Sequence, residues 1–216
     1  MASDAEPGMS AVGPSAAGPT TAADEKVVAG GVRIRGATFG DAEQIAALHA
    51  DSWRRNYRGA YPDAFLDGEV FDDRRDVWST RLTRPDPNHR TVVADLGGDI
   101  VGFVHTNLDD DPAWGALLDN LHVTHALKRR GLGTLLLAAS ARAVVDHAPM
   151  GRLHLWVLER NANARSFYDE RGGRCAERQR REPLPGYRLR YVWDSPMRLI
   201  HPPHPAPGPQ RRWRTR

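Results

Sequence analysis

A chain of 216 residues, 26% charged and 40% hydrophobic, has the length and balance of one globular domain with tails. Its net charge is +3, but residues 1–30 sum to −3 and the last twelve to +4, leaving the body at +2; a nucleic-acid-binding surface on the folded domain is therefore not expected. The single cysteine, Cys175, excludes an internal disulfide, and no Cys/His cluster has metal-ligand spacing, so no metal is expected.

The first residues, Met1-Ala2-Ser3-Asp4-Ala5-Glu6, lack the basic start and apolar run of a signal peptide. The most apolar stretch, Leu132 to Val145, is too short to span a bilayer and carries Arg142. A cytoplasmic protein with no membrane partner is expected. Residues 1–30 hold almost no large apolar side chain, too little burial to offset ordering entropy, and read as a disordered tail. Residues 31–200 form the domain, and 201–216 a proline- and arginine-rich tail. Neither tail is expected to contribute to a site.

In chain order, Val32 to Ala37 predicts a strand. Asp41 caps a helix with Gln44 as reciprocal partner, and Ile45, Leu48, Ser52 and Trp53 recur at helical spacing until Pro62 breaks the pattern. Val70 to Leu82 predicts a second helix. Arg90 to Leu96 and Ile100 to Asn107 form a hairpin around Gly97-Gly98. Leu117 to Val123 is a fourth strand. Gly131 to His147 is helical, with Leu132, Leu135, Leu136, Ala139 and Ala143 on one stripe. Arg152 to Leu158 reads as a strand, Asn161 to Arg171 as a helix stopped by Gly172-Gly173, and Arg174 to Arg181 and Arg188 to Trp193 as two final strands. The order is β-α-α-β-β-β-α-β-α-β-β.

The run Lys128-Arg129-Arg130-Gly131-Leu132-Gly133-Thr134 falls where a strand gives way to a helix. The first turn of a helix carries unpaired N–H groups and a positive dipole end, and Gly131 and Gly133 remove side chains that would keep an anion away. Three cations precede them and Thr134 adds a hydroxyl. This chemistry suits a pyrophosphate, although a basic loop opening a helix has the same composition. The dinucleotide G-x-G-x-x-G spacing and the Walker G-K-[ST] are both absent.

The next helix opens with Asn161-Ala162-Asn163-Ala164-Arg165-Ser166-Phe167-Tyr168. Together the two segments resemble the GNAT superfamily of acetyl-CoA-dependent acetyltransferases, which shows [QR]-x-x-G-x-[GA] on one helix and N-x-x-A-x-x-F-Y on the next. The resemblance spans roughly residues 31–195 and is weakest in the first half. It departs at Lys128, which can meet a phosphate only as a point charge. It implies an α+β fold: a mixed, mostly antiparallel twisted sheet with helices on both faces, the acyl-CoA N-acyltransferase fold.

What the resemblance implies for the site follows residue by residue. Backbone groups of Leu121, His122 and Val123 hold the pantetheine arm. Lys128 and the backbone of Arg129, Arg130, Gly131, Leu132, Gly133 and Thr134 hold the pyrophosphate. Asn161, Ala164 and Phe167 fix the cofactor beside the second helix, strands 117–123 and 152–158 splay apart around the acetyl group, and Tyr168 protonates the leaving thiolate. Against this, Tyr168 also reads as a half-buried packing residue of an amphipathic helix. The glutamate that many members carry on the fourth strand is here Leu117. Asp119 is the nearest carboxylate, and strict alternation puts Leu117, Asp119, Leu121 and Val123 on one face, so Asp119 is either the general base or a strand-end carboxylate ordering a loop. His122 and His154 read as packing residues.

The run Ser52-Trp53-Arg54-Arg55-Asn56-Tyr57-Arg58-Gly59 is similar to a bacterial GNAT subgroup. Trp53 and Tyr57 either wall the acceptor pocket or pack in the core. The implied activity is transfer of the acetyl group of acetyl-CoA to the primary amine of a small molecule or peptide, by a monomer or homodimer. The rival readings are an acyl-CoA-binding sensor without turnover and, through the Arg/Trp tail, a nucleic-acid protein.

Overall fold

A computed structural model describes residues 26–28, 31–148 and 151–201. The remainder of both expected tails lies outside the described residues. Eight strands form one sheet in the order β1-β2-β3-β4-β5-β6-β8-β7. They are β1 (Lys26–Val28), β2 (Val32–Gly36), β3 (His89–Leu96), β4 (Asp99–Asp111), β5 (Gly115–Val123), β6 (Leu153–Leu158), β7 (Arg174–Arg180) and β8 (Tyr187–Trp193). Every adjacent pair is antiparallel except β5 with β6. The strand β1 falls within the expected N-terminal tail: Lys26–Val28 pairs with Val32–Ile34, since an edge strand draws on backbone hydrogen bonds.

Helices cover both faces. On one lie α1 (Ala42–Asn56), α2 (Asp63–Asp67) and α3 (Val70–Thr83). Ala42, Ile45, Ala46, His49, Ala50 and Trp53 turn one side of α1 to the sheet, the spacing of an apolar helical stripe. On the other face lie α4 (Leu132–His147), α5 (Ala162–Asp169) and α6 (Met197–Ile200). The buried stripe of α4 runs Leu132, Leu136, Leu137, Ser140, Ala141, Val144 and Val145, turned slightly from the expected one, so that Leu135, Ala139 and Ala143 sit at its margin. None of the described helices is long and apolar enough to cross a membrane.

The entry to α1 differs from expectation. Asp41 does not pair with Gln44. Its carboxylate accepts from the Thr38 backbone N–H (2.7 Å) and from Arg35 Nη1 (2.8 Å) and Nη2 (2.9 Å). Gln44 instead clips the β3–β4 hairpin, donating to the Gly98 carbonyl and accepting from the Ile100 N–H. The charged partner wins because a charge-assisted fork is the stronger bond.

Candidate active site

The parallel pair β5–β6 is short. Ala116 pairs with Leu153 and Leu117 with His154, and there the pairing ends. From Leu118 to Val123 and from Leu155 to Leu158 the strands diverge, each keeping its other neighbour, β4 or β8. A wedge-shaped cleft results, with backbone groups of both strands along its walls.

A β-bulge sets which side chains flank the cleft. His105 pairs with Asn120 but Thr106 with Leu118, so Asp119 is the extra residue. The bulge overturns the strict alternation expected for β5. Leu118 and Leu121 both join the core under α4, whereas His122 turns to α1, where its Nδ1 lies 2.8 Å from Ser52 Oγ. Asp119 does not share a face with Leu121: it is buried and accepts from Arg81 Nη1 of α3 at 3.0 Å. Leu117, before the bulge, is buried as well.

After Val123 the chain passes through a short 3-10 turn, His125–Leu127, and reaches the helix start. Arg129 has φ 62° and Gly131 φ 85°, two residues in the left-handed region. Among the described residues no acceptor meets the backbone N–H groups of Arg129 to Gly133; internal bonding resumes with Thr134 N–H to the Gly131 carbonyl at 3.0 Å. A methyl placed on Gly131 would meet nothing within 4 Å, so the backbone there faces open space. Lys128 is half-buried and lies in the field of Arg55 and Asp51 of α1; burial, then Arg55, lower its pKa below the ordinary lysine value.

Asn161 caps α5, its Oδ1 accepting from the Ala164 N–H at 3.2 Å. Ala164 is buried, and Phe167 packs on the first turn of α4. Tyr168 is 0% exposed, its ring edge-on to Phe167 and Trp193 and tilted against Tyr191. It is not the half-buried residue of an amphipathic surface helix, because the α5 ring layer is closed over by β8 aromatics.

Residues 50–173, more than half of the chain and spanning both the cleft and the cradle, match the family model described as Acetyltransferase (GNAT) family. The chain belongs to the GNAT family of acetyltransferases. Among curated proteins it is similar to "Uncharacterized N-acetyltransferase YuaI" of Bacillus subtilis, 26% identical over 132 residues, covering 60% of this chain and 73% of that one. It is also similar to "Probable N-acetyltransferase Rv2775" of Mycobacterium tuberculosis, 27% identical over 148 residues, covering 65% and 78%. Among solved structures, the PaiA N-acetyltransferase of Thermoplasma acidophilum in complex with coenzyme A shares the fold, with TM-score 0.61 and 16% identity over 75% of this chain and 99% of that one.

The remaining expectations for this GNAT enzyme concern the α1 side of the cleft. Trp53 and Tyr57 are 2% and 5% exposed and stack on each other at 5.2 Å within a cluster that includes Ala60, Leu66 and Leu158. Both are buried, with Leu66 of α2 and Tyr61 packed around them. Burial holds His122 neutral, its pKa pushed well below the ordinary histidine value. His154 is buried between Arg190 (3.1 Å from Nδ1) and Asp110 (3.2 Å from Nε2).

One residue beside the cradle escaped the sequence reading. Arg171, just beyond α5, donates Nε and Nη2 to Thr134 Oγ1 at 3.0 and 2.7 Å and Nη1 to the Phe167 carbonyl at 2.9 Å, with its guanidinium 3.8 Å from the Phe167 ring centre. This places a planar cation over the first turn of α4. Its only sequence signal was a positive charge next to Gly172.

Proposed function

We propose that this N-acetyltransferase moves the acetyl group of acetyl-CoA to a primary amine by direct attack within a ternary complex. The observation that carries the reading is the row of unbonded N–H groups from Arg129 to Gly133, opening onto free space at Gly131 beside the mouth of the β5–β6 cleft. That row suits a pyrophosphate, and the cleft edge of Leu121 to Val123 suits the amide groups of a pantetheine arm. Arg171 adds a charge at the Thr134 end of the row.

Bound acetyl-CoA supplies a thioester-activated acetyl group. The unprotonated amine forms the new C–N bond while the C–S bond breaks. The Val123 N–H donates to the carbonyl oxygen as negative charge gathers on it. Tyr168, held on three sides by aromatic rings, gives its phenolic proton to the departing sulfur. Asp119, fixed by Arg81, accepts the proton that the amine sheds. Lys128 adds positive potential near the loop and meets the phosphate as a point charge.

A second reading, acyl-CoA binding without turnover, draws on Leu117 where many members carry a glutamate and on the pairing of Asp119 with Arg81. One measurement separates the two. The purified protein is titrated with acetyl-CoA calorimetrically and then screened against amines by release of free CoA thiol. Binding with release supports the enzyme; binding with no release from any amine leaves the sensor.

A further inference from the structure

The face of β5 that looks toward α1 and α3 is unusually polar for a buried strand. His105 of β4 stands opposite Asn120 and Phe103 opposite His122, so these four side chains share one face of the sheet. Phe103 and His105 have their ring centres 5.0 and 5.4 Å from that of Trp78 on α3, which fixes the face. Around Asn120 the polar groups are paired. His105 Nδ1 lies 2.8 Å from Thr91 Oγ1, Asp119 accepts from Arg81 Nη1 at 3.0 Å, and Trp78 Nε1 donates to His49 Nδ1 at 3.0 Å.

Asn120 differs. It is 3% exposed, and its Oδ1 meets no hydrogen-bond donor among the described residues. Burying an amide oxygen without a donor costs free energy, so a folded protein rarely keeps one that has no task. Trp53 Nε1 is also buried without a partner among the described residues, but its ring packs among Tyr57, Tyr61 and Phe65. Asn120 stands instead on the strand that borders the cleft, beyond the Leu117–His154 pair where β5 and β6 part. On one side of it is Asp119, the bulge residue, and on the other Leu121, where the cleft edge proposed for the pantetheine arm begins. A leucine, close to asparagine in shape, would occupy the same place without an unpaired oxygen.

We infer that Asn120 orients the acceptor: its Oδ1 accepts one N–H of the attacking primary amine. The inference rests on the amine-acetylation reading and deepens it, because it sets the class of amine. A primary amine has two N–H groups and one lone pair. With one N–H held by Asn120 and the lone pair aimed at the thioester carbon, the second N–H carries the proton that passes to Asp119 as the C–N bond forms and the C–S bond breaks. The N–H held by Asn120 stays on the product amide. A neutral amide oxygen accepts a hydrogen bond without taking the proton, so Asn120 positions the nitrogen and is not its base. A secondary amine has a single N–H and cannot serve both partners, so it is disfavoured beyond the effect of its bulk.

The test follows release of free CoA thiol by the full-length protein at saturating acetyl-CoA. The acceptors are the best primary amine of the screen above, with benzylamine as the first choice, and its N-methyl derivative, each rate expressed per unprotonated amine. Asn120→Leu should lower kcat/KM for the primary amine roughly five- to a hundredfold, the effect of leaving a buried donor unpaired, and for the N-methyl amine much less, so that the preference between them shrinks. Acetyl-CoA affinity should stay parental, and the melting temperature should not fall, since an orphaned oxygen has been removed. Asn120→Ser, which keeps an acceptor oxygen, should restore part of the preference. Equal losses for the two amines, with or without a lower melting temperature, mark a packing role and overturn the inference. A parental kcat/KM in Asn120→Leu overturns it too, and either result leaves the enzyme reading standing. If the parent acetylates no amine, the enzyme reading fails. Calorimetric titration of the CoA-loaded protein with benzylamine then decides the place of Asn120: weaker binding to Asn120→Leu than to the parent supports it, and equal affinities or no binding overturn it.

Discussion

Gly133 and Phe167 lie against each other across α4 and α5: a Cβ built on Gly133 would stand 3.2 Å from Cε2 of the Phe167 ring. Gly131, two residues earlier, has no such neighbour. The two glycines of the cradle therefore answer different needs, one the approach of a ring and one the approach of a ligand.

This difference gives a paired prediction. Gly133→Val forces the Phe167 ring aside, an overpacking that costs roughly 1–3 kcal/mol, so it should lower the melting temperature as well as weaken acetyl-CoA binding. Gly131→Val puts its side chain into open space and should abolish acetyl-CoA binding while the protein stays folded, with strain limited to roughly 1–2 kcal/mol for the left-handed backbone. Calorimetry and a thermal melt on both variants read the two effects separately. Near-parental affinity in Gly131→Val would remove the phosphate role from the loop.

Arg129 is left-handed at φ 62°, a conformation that a non-glycine residue holds only when its surroundings impose it. Arg129→Gly should relieve roughly 1–2 kcal/mol of strain against about 0.5–1 kcal/mol of added chain entropy, for a small net gain in stability. Acetyl-CoA affinity should fall only by the loss of one exposed cation. A lower unfolding midpoint in denaturant would show that the Arg129 side chain, not its backbone, is what the loop keeps it for.

Tyr168→Phe preserves the ring that Phe167, Tyr191 and Trp193 enclose and removes only the proton donor. Turnover should drop roughly a hundred- to ten-thousandfold with acetyl-CoA affinity little changed. Asp119→Asn should lose most rate at low pH, where free amine is scarce, and approach the parent near pH 10, where an amine sheds its proton unaided. If Asp119 serves only to anchor Arg81, the Asn variant will instead be less stable with an unaltered pH–rate profile. Parental turnover in Tyr168→Phe with a good acceptor would end the assignment of the acid.

Acid should loosen the first strands before the cleft. Arg35 joins Asp41 and Asp95, with its Nε 2.9 Å from Asp95 Oδ2. Burial pushes the Asp41 carboxyl up, but the Arg35 and Thr38 hydrogen bonds outweigh it and hold it below the ordinary aspartate value. Asp95 is lowered by the Gly98 N–H and then by Arg35. A depressed folded pKa adds stability that is complete above the unfolded aspartate value, near 4, and is lost as pH falls through the folded one. The denaturant midpoint should therefore decline below about pH 4, and less steeply in Asp41→Asn. Equal slopes in both proteins would contradict the linkage.

The parts legible in the sequence are those governed by local chemistry. Gly97-Gly98 marks the β3–β4 hairpin, the Gly131 start opens α4, and Asn161 caps α5 where its spacing to Ala164 places it. The parts that escaped depend on partners distant in sequence. The bulge at Asp119 follows from how β4 and β5 align, and no feature of Leu117 to Val123 announces it. Arg171 meets Thr134 from 37 positions away. The full burial of Tyr168 requires Tyr191 and Trp193, which the α5 pattern does not contain. The short strand at Lys26–Val28 is held by backbone pairing, which composition does not reveal.

The two-residue seam between β5 and β6 bears on how the enzyme keeps its shape at rest. Among the described residues, strands β1–β5 and β6–β8 pair only at Ala116–Leu153 and Leu117–His154, so a molecule lying in the cleft beside Val123 bridges the two parts of the sheet. Occupancy and rigidity are then one quantity. A ligand at a hundred times its Kd adds about 2.7 kcal/mol to the folded state, and here that gain falls on the weakest line of the sheet. Amide exchange along Leu118–Val123 would slow most on binding, and a melting curve would serve as an occupancy meter for whichever donor the cell supplies.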